Sequence, residues 1–213
     1  MKKLSFLLII LSMLVLGGCA KKMTFEEQQE WIDRGLQAST QHYSGFTEEQ
    51  LALATQKVLY LIDPSDIGII YNKGQHRVIG ARIYMQYLVF MNIFGSETWV
   101  IDFNKTADSE YDVSIMLGLA RDGGILATMP KGASPNSMHI STNHVDEYTA
   151  KLFFSRLDYF LGKSSKWISC EEACATVPSP KPIPFLCGSA TFGVTDNDPS
   201  YLDTNSPDPM LKF

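Results

Sequence analysis

Three cysteines near the carboxyl end of the chain are the residues best placed for redox or metal chemistry. Cys170 and Cys174 stand four residues apart, which predicts one helical face, where two sulfurs do not easily reach bridge geometry. Cys187 therefore pairs with one of them. We favour Cys170, because Trp167 and Ile168 just before it can hold that end in the core. The alternative, three thiolates on a metal ion, has no clear fourth ligand nearby.

Other residue types that support catalysis or metal binding occur in patterns that structure explains more simply. His139 and His144 stand five residues apart, on no common helical face, and we interpret both as solvated loop residues. Asp63 and Asp66 lie at a helix end, where capping accounts for carboxylates. The segment Gly188-Ser189-Ala190 lacks the second glycine of a nucleophile elbow and follows no strand. The sequence thus predicts no catalytic residue, metal ligand or cofactor, and leaves enzymatic activity open.

The first 19 residues carry the most specific pattern in the chain. Two lysines precede an apolar run from Leu4 to Leu16, which at 13 residues is shorter than the ~20 residues of a membrane-spanning helix. The run ends in Leu16-Gly17-Gly18-Cys19, which resembles the lipobox of bacterial lipoproteins. The resemblance implies that residues 1–18 are a signal peptide, that Cys19 is lipidated on its thiol, and that its new amino group is acylated after cleavage.

The predicted anchor sets the compartment and the charge of the mature chain. Removing 18 residues from 213 leaves 195, and losing Lys2 and Lys3 moves the formal net charge from −5 to −7. An acidic chain argues against nucleic acid and against electrostatic docking on anionic lipid, so attachment would rest on the acyl chains. Ala20 after the cysteine, in place of an aspartate retention signal, favours the outer membrane, facing the periplasm. An oxidising compartment is also where the predicted disulfide forms.

The remaining chain is predicted to be an α+β protein with two layers, an antiparallel β-meander of four to five strands with helices packed on one face. Helices are predicted at 25–38, 47–62 and 145–161, with capping boxes at Thr24 and Thr47. The predicted parts are a signal peptide (1–18), a lipidated tether with a short helix and a polar break (19–45), a single domain (46–175) and a proline-rich, largely irregular, disulfide-stapled tail (176–213).

One long alternating stretch, Arg77 to Phe94, offers a binding surface. Alternate residues from Ile79 to Ile93 are uniformly apolar and are predicted to face the core, with a bend or break at 86–90. Tyr84, Leu88, Phe90 and Phe94 are assigned to the other, mixed side of the strand, where they would form an apolar patch for a partner or ligand if the helices cover only the first side. The alternative is that the tail or the first helix covers them.

Three hypotheses follow for function. The first is a non-catalytic binding or assembly module of the cell envelope, held by N-terminal acyl chains and contacting an envelope protein. The second is a carrier or sensor of a small apolar ligand on the open sheet face. The third is an unrecognised hydrolase.

Overall fold

A computed structural model describes residues 24–64, 67–88, 91–124, 142–143, 145–176, 185–187 and 198–205. Within these ranges only the backbone is described for 83–88, 91–95, 119–124, 142–143, 185 and 203–205. The chain divides into two compact units, residues 1–30 and 31–213. In the first unit, Thr24 Oγ1 accepts from the backbone N–H of Glu27, and the Glu27 carboxylate accepts from the N–H of Thr24. This reciprocal pair is the predicted capping box.

The described elements begin with two helix–strand pairs, continue with further strands and end with helices. In order they are α1 (Phe25–Ala38), β1 (Thr40–Ser44), α2 (Glu48–Tyr60), β2 (Gly68–Asn72), β3 (Arg77–Leu88), β4 (Met91–Ala107), β5 (Glu110–Gly124), β6 (Thr142–Asn143), α3 (Glu147–Phe160), α4 (Cys170–Ala175) and α5 (Ser200–Asn205). Two short 3₁₀ turns lie at Lys73–Gln75 and Phe185–Cys187.

The strands form one antiparallel sheet in the order β1-β5-β4-β3-β2, and β6 pairs with Leu117 and Gly118 in the middle of β5. Strands β2 to β5 are a meander, with each strand bonded to the next along the chain. The predicted α+β class and antiparallel meander are therefore confirmed. The disulfide between Cys170 and Cys187 is also present, as predicted, and it joins the proline-rich tail to α4.

Helices α2 and α3 lie on the same face of the sheet, the helix-covered face. Leu59 of α2 reaches Gly80 of β3, where an added Cβ would come within 2.9 Å of Leu59 Cδ1. Phe153 of α3 stacks on Trp99 of β4 with ring centroids 6.3 Å apart. Trp99, Phe153 and Leu59 are all fully buried, so the main core lies between these two helices and the strands.

The helices begin where their sequences supply capping groups. Thr47 and Gln50 form the predicted capping box of α2. Helix α3 begins later than predicted, because Asp146 is the N-cap and its carboxylate accepts from the N–H groups of Tyr148 and Thr149. Gly162 follows α3 with φ of 73°, the left-handed conformation that ends many helices.

The predicted continuous strand from Arg77 to Phe94 is instead two antiparallel strands. β3 ends at Leu88 and β4 begins at Met91, so the chain reverses inside the region where a bend or break was expected. Gly95 and Ser96, which resemble a turn in sequence, lie within β4. Paired strands on both sides of β4 hold this segment extended, and this long-range pairing outweighs the local turn signal.

The predicted core face of β3 was also wrong. Val78 is fully buried in the core beside Ile101, whereas Ile79 is only partly buried and points to the opposite side. The register decides this, because Gly80 pairs with Trp99 and opposed residues of an antiparallel pair share a face. Burying Trp99 therefore places the mixed side of β3 under the helices.

The segment predicted as a polar break and tether includes an edge strand. Strand β1 pairs with β5 from Thr40↔Ser114 to Ser44↔Glu110, so the prediction of irregular chain at 39–45 was wrong. Only Tyr43 of this strand is buried, which is why its apolar pattern is too thin to detect. Before β1, Gly35 of α1 lies close to the residues that precede α3, and a Cβ added to it would be 2.4 Å from the carbonyl oxygen of Val145.

Candidate functional site

The predicted site residues are only partly within the described structure. Cys19 lies outside the described residues, so its lipidation stays a prediction. His139, His144 and Ser189 also lie outside them. In the part of the chain that is described, no three His, Cys, Asp or Glu residues are grouped so as to hold a metal ion.

The four residues predicted as a partner or ligand surface do not share one strand. Phe90 lies outside the described residues, and only the backbone is described at Tyr84, Leu88 and Phe94. The register pairs Tyr84 with Gly95 and Phe94 with Met85. Opposed residues share a face and successive residues alternate, so position 94 shares the face of position 85 and lies on the face opposite to position 84. Binding by these side chains stays a prediction, but their grouping on one side of a continuous strand does not hold.

A buried ionic cluster lies on the helix-covered face, at residues that the sequence analysis did not connect. Arg82 of β3 stands directly opposite Glu97 of β4 and donates to its Oε2 through Nε at 3.1 Å and Nη2 at 2.8 Å. The other oxygen of Glu97 accepts from Nε1 of Trp99. Asp63, after α2, approaches Nη1 of Arg82 at 3.5 Å. Asp63 was predicted to cap a helix, whereas it is a second carboxylate on this guanidinium.

The cluster contains two carboxylates and one guanidinium, and the Arg82–Glu97 pair within it is almost fully buried. Glu97 is 2% exposed and Arg82 is 7% exposed. Burial raises the pKa of Glu97, because desolvation outweighs the attraction of Arg82, and Asp63 adds repulsion. Protonating Glu97 would leave Asp63 and Arg82 as a balanced pair. The arrangement can therefore take up one proton as pH falls, and otherwise holds β3, β4 and the end of α2 together.

The face of the sheet opposite α2 and α3, here the outer face, carries a row of four apolar residues. The register aligns Ile70 with Ile79, Ile79 with Val100, and Val100 with Met116, one residue from each of four neighbouring strands. With strands ~4.8 Å apart, this apolar row is about 14 Å long. Ile70 is 57% exposed and Met116 is 36% exposed, so both ends of the row meet solvent, whereas Ile79 is partly buried and Val100 is only 4% exposed.

A polar row runs beside the apolar row. Arg77 and Asp102 stand opposite each other and make a two-bond ion pair, with Nη2 of Arg77 2.9 Å from Oδ2 of Asp102. Ser114 and Thr40 continue this row across β5 and β1. The outer face thus places an apolar strip next to a polar row that includes a paired Arg77 and Asp102, and apolar centres with polar rims are typical of protein interfaces.

A shallow groove lies between α2 and α3 in the described part of the chain. Its lining residues are Phe46, Gln50, Leu53, Ala54, Lys57, Phe160 and Leu161, and its volume is about 140 Å³. Sites for drug-sized ligands usually span ~300–1,000 Å³. The groove therefore fits one apolar side chain better than a complete small molecule.

Comparison with known proteins gives no relative. No family model matches the chain, and neither the curated proteins nor the solved structures include a significant match. Among the described residues, no helix has both the length and the apolar character needed to cross a membrane.

Replacing Glu97 with glutamine tests the ionic cluster through the pH dependence of stability. A carboxyl whose pKa is raised by folding stabilises the folded state fully below its ordinary value of 4.5 and loses that contribution as pH rises through the raised pKa. Glutamine keeps one acceptor and stays neutral. We expect the free energy of unfolding of the wild type, relative to E97Q, to fall from acidic to neutral pH in urea titrations.

Glu49→Gln is the matched control, because the hydrogen bond from Lys73 lowers the pKa of the exposed Glu49. The free energy of unfolding of the wild type should therefore rise slightly, relative to that of E49Q, as pH increases. A difference between wild type and E97Q that is constant or grows with pH would contradict the assignment of a raised pKa to Glu97.

Proposed function

We propose that this chain is a lipid-anchored, non-catalytic binding or assembly module of the bacterial cell envelope. The anchor would be Cys19 with its acyl chains, as the Leu16-to-Cys19 pattern implies. Several acyl chains give stable attachment, whereas one gives only marginal binding. Ala20 supports an outer-membrane address, and the net charge of −7 after cleavage makes nucleic acid an unsuitable partner.

The apolar row on the outer face is the observation that carries the binding role. Ile70 and Met116 are two of the four large apolar side chains that are exposed among the described residues, and they belong to the same row. Their exposure is costly in water unless a second surface covers them, at roughly 25 cal/mol per Å² of apolar area. The two exposed ends belong to one continuous apolar row, and connected apolar surface is typical of interaction sites, whereas single scattered residues are not.

A protein partner fits this row better than a small ligand. The row is a strip across pleated strands, and a ligand carrier normally encloses most of its cargo. The adjacent polar row, with Arg77 and Asp102 already paired, suits a rim that stays wet around a protein contact. A small apolar ligand remains the second candidate because the same strip would also accept an aliphatic chain lying flat.

Replacing Cys19 with serine tests the anchor. The thiol is the proposed attachment atom, so C19S should incorporate no radiolabelled palmitate and should leave the membrane pellet. Cys174→Ser removes a different thiol and should keep full labelling. In density gradients the wild type should sediment with outer membranes. Palmitate labelling that persists in C19S would refute the anchor, and sedimentation with inner membranes would refute the address.

Photo-cross-linking tests the proposed binding surface. A photoreactive amino acid is placed at position 70 or 116 of the full chain in intact cells, and at position 36 as the control. Leu36 is a matched site, since it is 42% exposed and lies on α1, outside the apolar row. We expect one discrete protein adduct of the same mass from positions 70 and 116, and none from position 36.

Two other outcomes would count against the proposal. Identical adducts from all three positions would show collision and not docking. No adduct from 70 or 116, combined with a small apolar molecule retained in the native mass spectrum of the purified chain, would favour the carrier.

A further inference from the structure

The disulfide between Cys170 and Cys187 has a third cysteine and a buried cation beside it. Cys174 is a free thiol on α4, one helical turn after Cys170, and side chains four apart on a helix have Cβ atoms ~5–6 Å apart. On the other side, Nη2 of Arg156 lies 3.3 Å from Sγ of Cys170. The guanidinium is placed by the carbonyl oxygen of Ile168, at 3.2 Å and 3.1 Å, and by the face of Trp167.

The burial of the three sulfurs is unequal. Cys170 and Cys187 are both 0% exposed, whereas Cys174 is partly exposed. A thiol in solution cannot reach the bonded sulfurs directly, because exchange requires attack along the sulfur–sulfur axis. Cys174 is the free thiol that the structure describes, and it lies one helical turn from Cys170, next to the bond.

Arg156 makes the two sulfurs of the bond unequal leaving groups. Its side chain is 1% exposed, and a desolvated guanidinium strongly favours negative charge on an adjacent atom. A thiolate at Cys170 would therefore be stabilised in place. Attack on Cys187 releases the Cys170 thiolate, which Arg156 stabilises. Attack on Cys170 would release the Cys187 thiolate instead, without this stabilisation.

We propose that Cys170, Cys174, Cys187 and Arg156 form a thiol–disulfide exchange site. The thiolate of Cys174 attacks Sγ of Cys187, the Cys170–Cys187 bond breaks, and its electron pair remains on Cys170 as a thiolate beside Arg156. The products are a Cys174–Cys187 disulfide and a free Cys170. The proton of Cys174 goes to solvent and one returns to Cys170, so the exchange is redox-neutral and needs no other reactant. Arg156 is a positioning and charge-stabilising residue.

Alkylation trapping of the full-length chain tests this exchange. The protein is purified in detergent without reductant, incubated at mildly alkaline pH, acidified to stop exchange, unfolded and alkylated with N-ethylmaleimide at mildly acidic pH, and digested without reduction. Mass spectrometry should show mainly alkylated Cys174 with the Cys170–Cys187 link. A second form, which approaches a plateau with incubation time, should carry alkylated Cys170 and a Cys174–Cys187 link.

Two variants separate exchange from random disulfide scrambling. In Cys174→Ser, alkylation of Cys170 should disappear. In Arg156→Gln, with its fold checked by circular dichroism, the Cys170-alkylated form should accumulate about tenfold more slowly, the effect of losing one charge-assisted contact. Should R156Q fail to fold, the wild type and C174S decide the matter.

Three results would contradict the proposal. Alkylation confined to Cys174 in the wild type would show a static disulfide. Alkylated Cys187 with a Cys170–Cys174 link would refute the direction of attack, and an unchanged rate in folded R156Q would refute the role of Arg156.

Discussion

The burial of Trp99 is the constraint on which the rest of the structure depends. Its ring stacks on Phe153 of α3, and its Nε1 donates to Glu97 inside the core. Trp99 is fully buried, and a side chain of this size dominates the apolar area that a small core hides from water. Opposite it in β3 stands Gly80, whose missing Cβ leaves room for Leu59 of α2. One side chain thereby fixes where both helices lie.

The position of Trp99 has a consequence for charge and a consequence for exposure. It turns Arg82 towards the helices, and that cation is tolerated there because Glu97 stands opposite and makes two hydrogen bonds with it. Removing one partner of such a buried pair typically costs ~3–5 kcal/mol. It also turns the alternate residues outward, which leaves Ile70 and Met116 exposed. The packing that buries Trp99 on one face of the sheet therefore also determines which residues form the proposed binding surface on the other face.

Local patterns predicted the helices, the caps and most strands, because those features depend on neighbours in sequence. The disulfide partner of Cys187 was also predictable, since Trp167 and Ile168 mark the buried end of the segment and rings of α3 pack on Trp167. The faces of β3 were not. Its own alternation favours Ile79 for the core, and only the pairing with β4, fixed by Trp99, reverses this.

Radical footprinting of the outer face tests the central claim most directly, that Ile70 and Met116, the two exposed ends of the apolar row, are covered by a partner in the envelope. Modification of Ile70 and Met116 is compared between the purified chain and intact envelopes, with the exposed Leu36 as the internal reference. The account predicts strong modification of both residues in the purified chain and protection of both, but not of Leu36, in envelopes. Equal modification of Ile70 and Met116 in the two samples would contradict it.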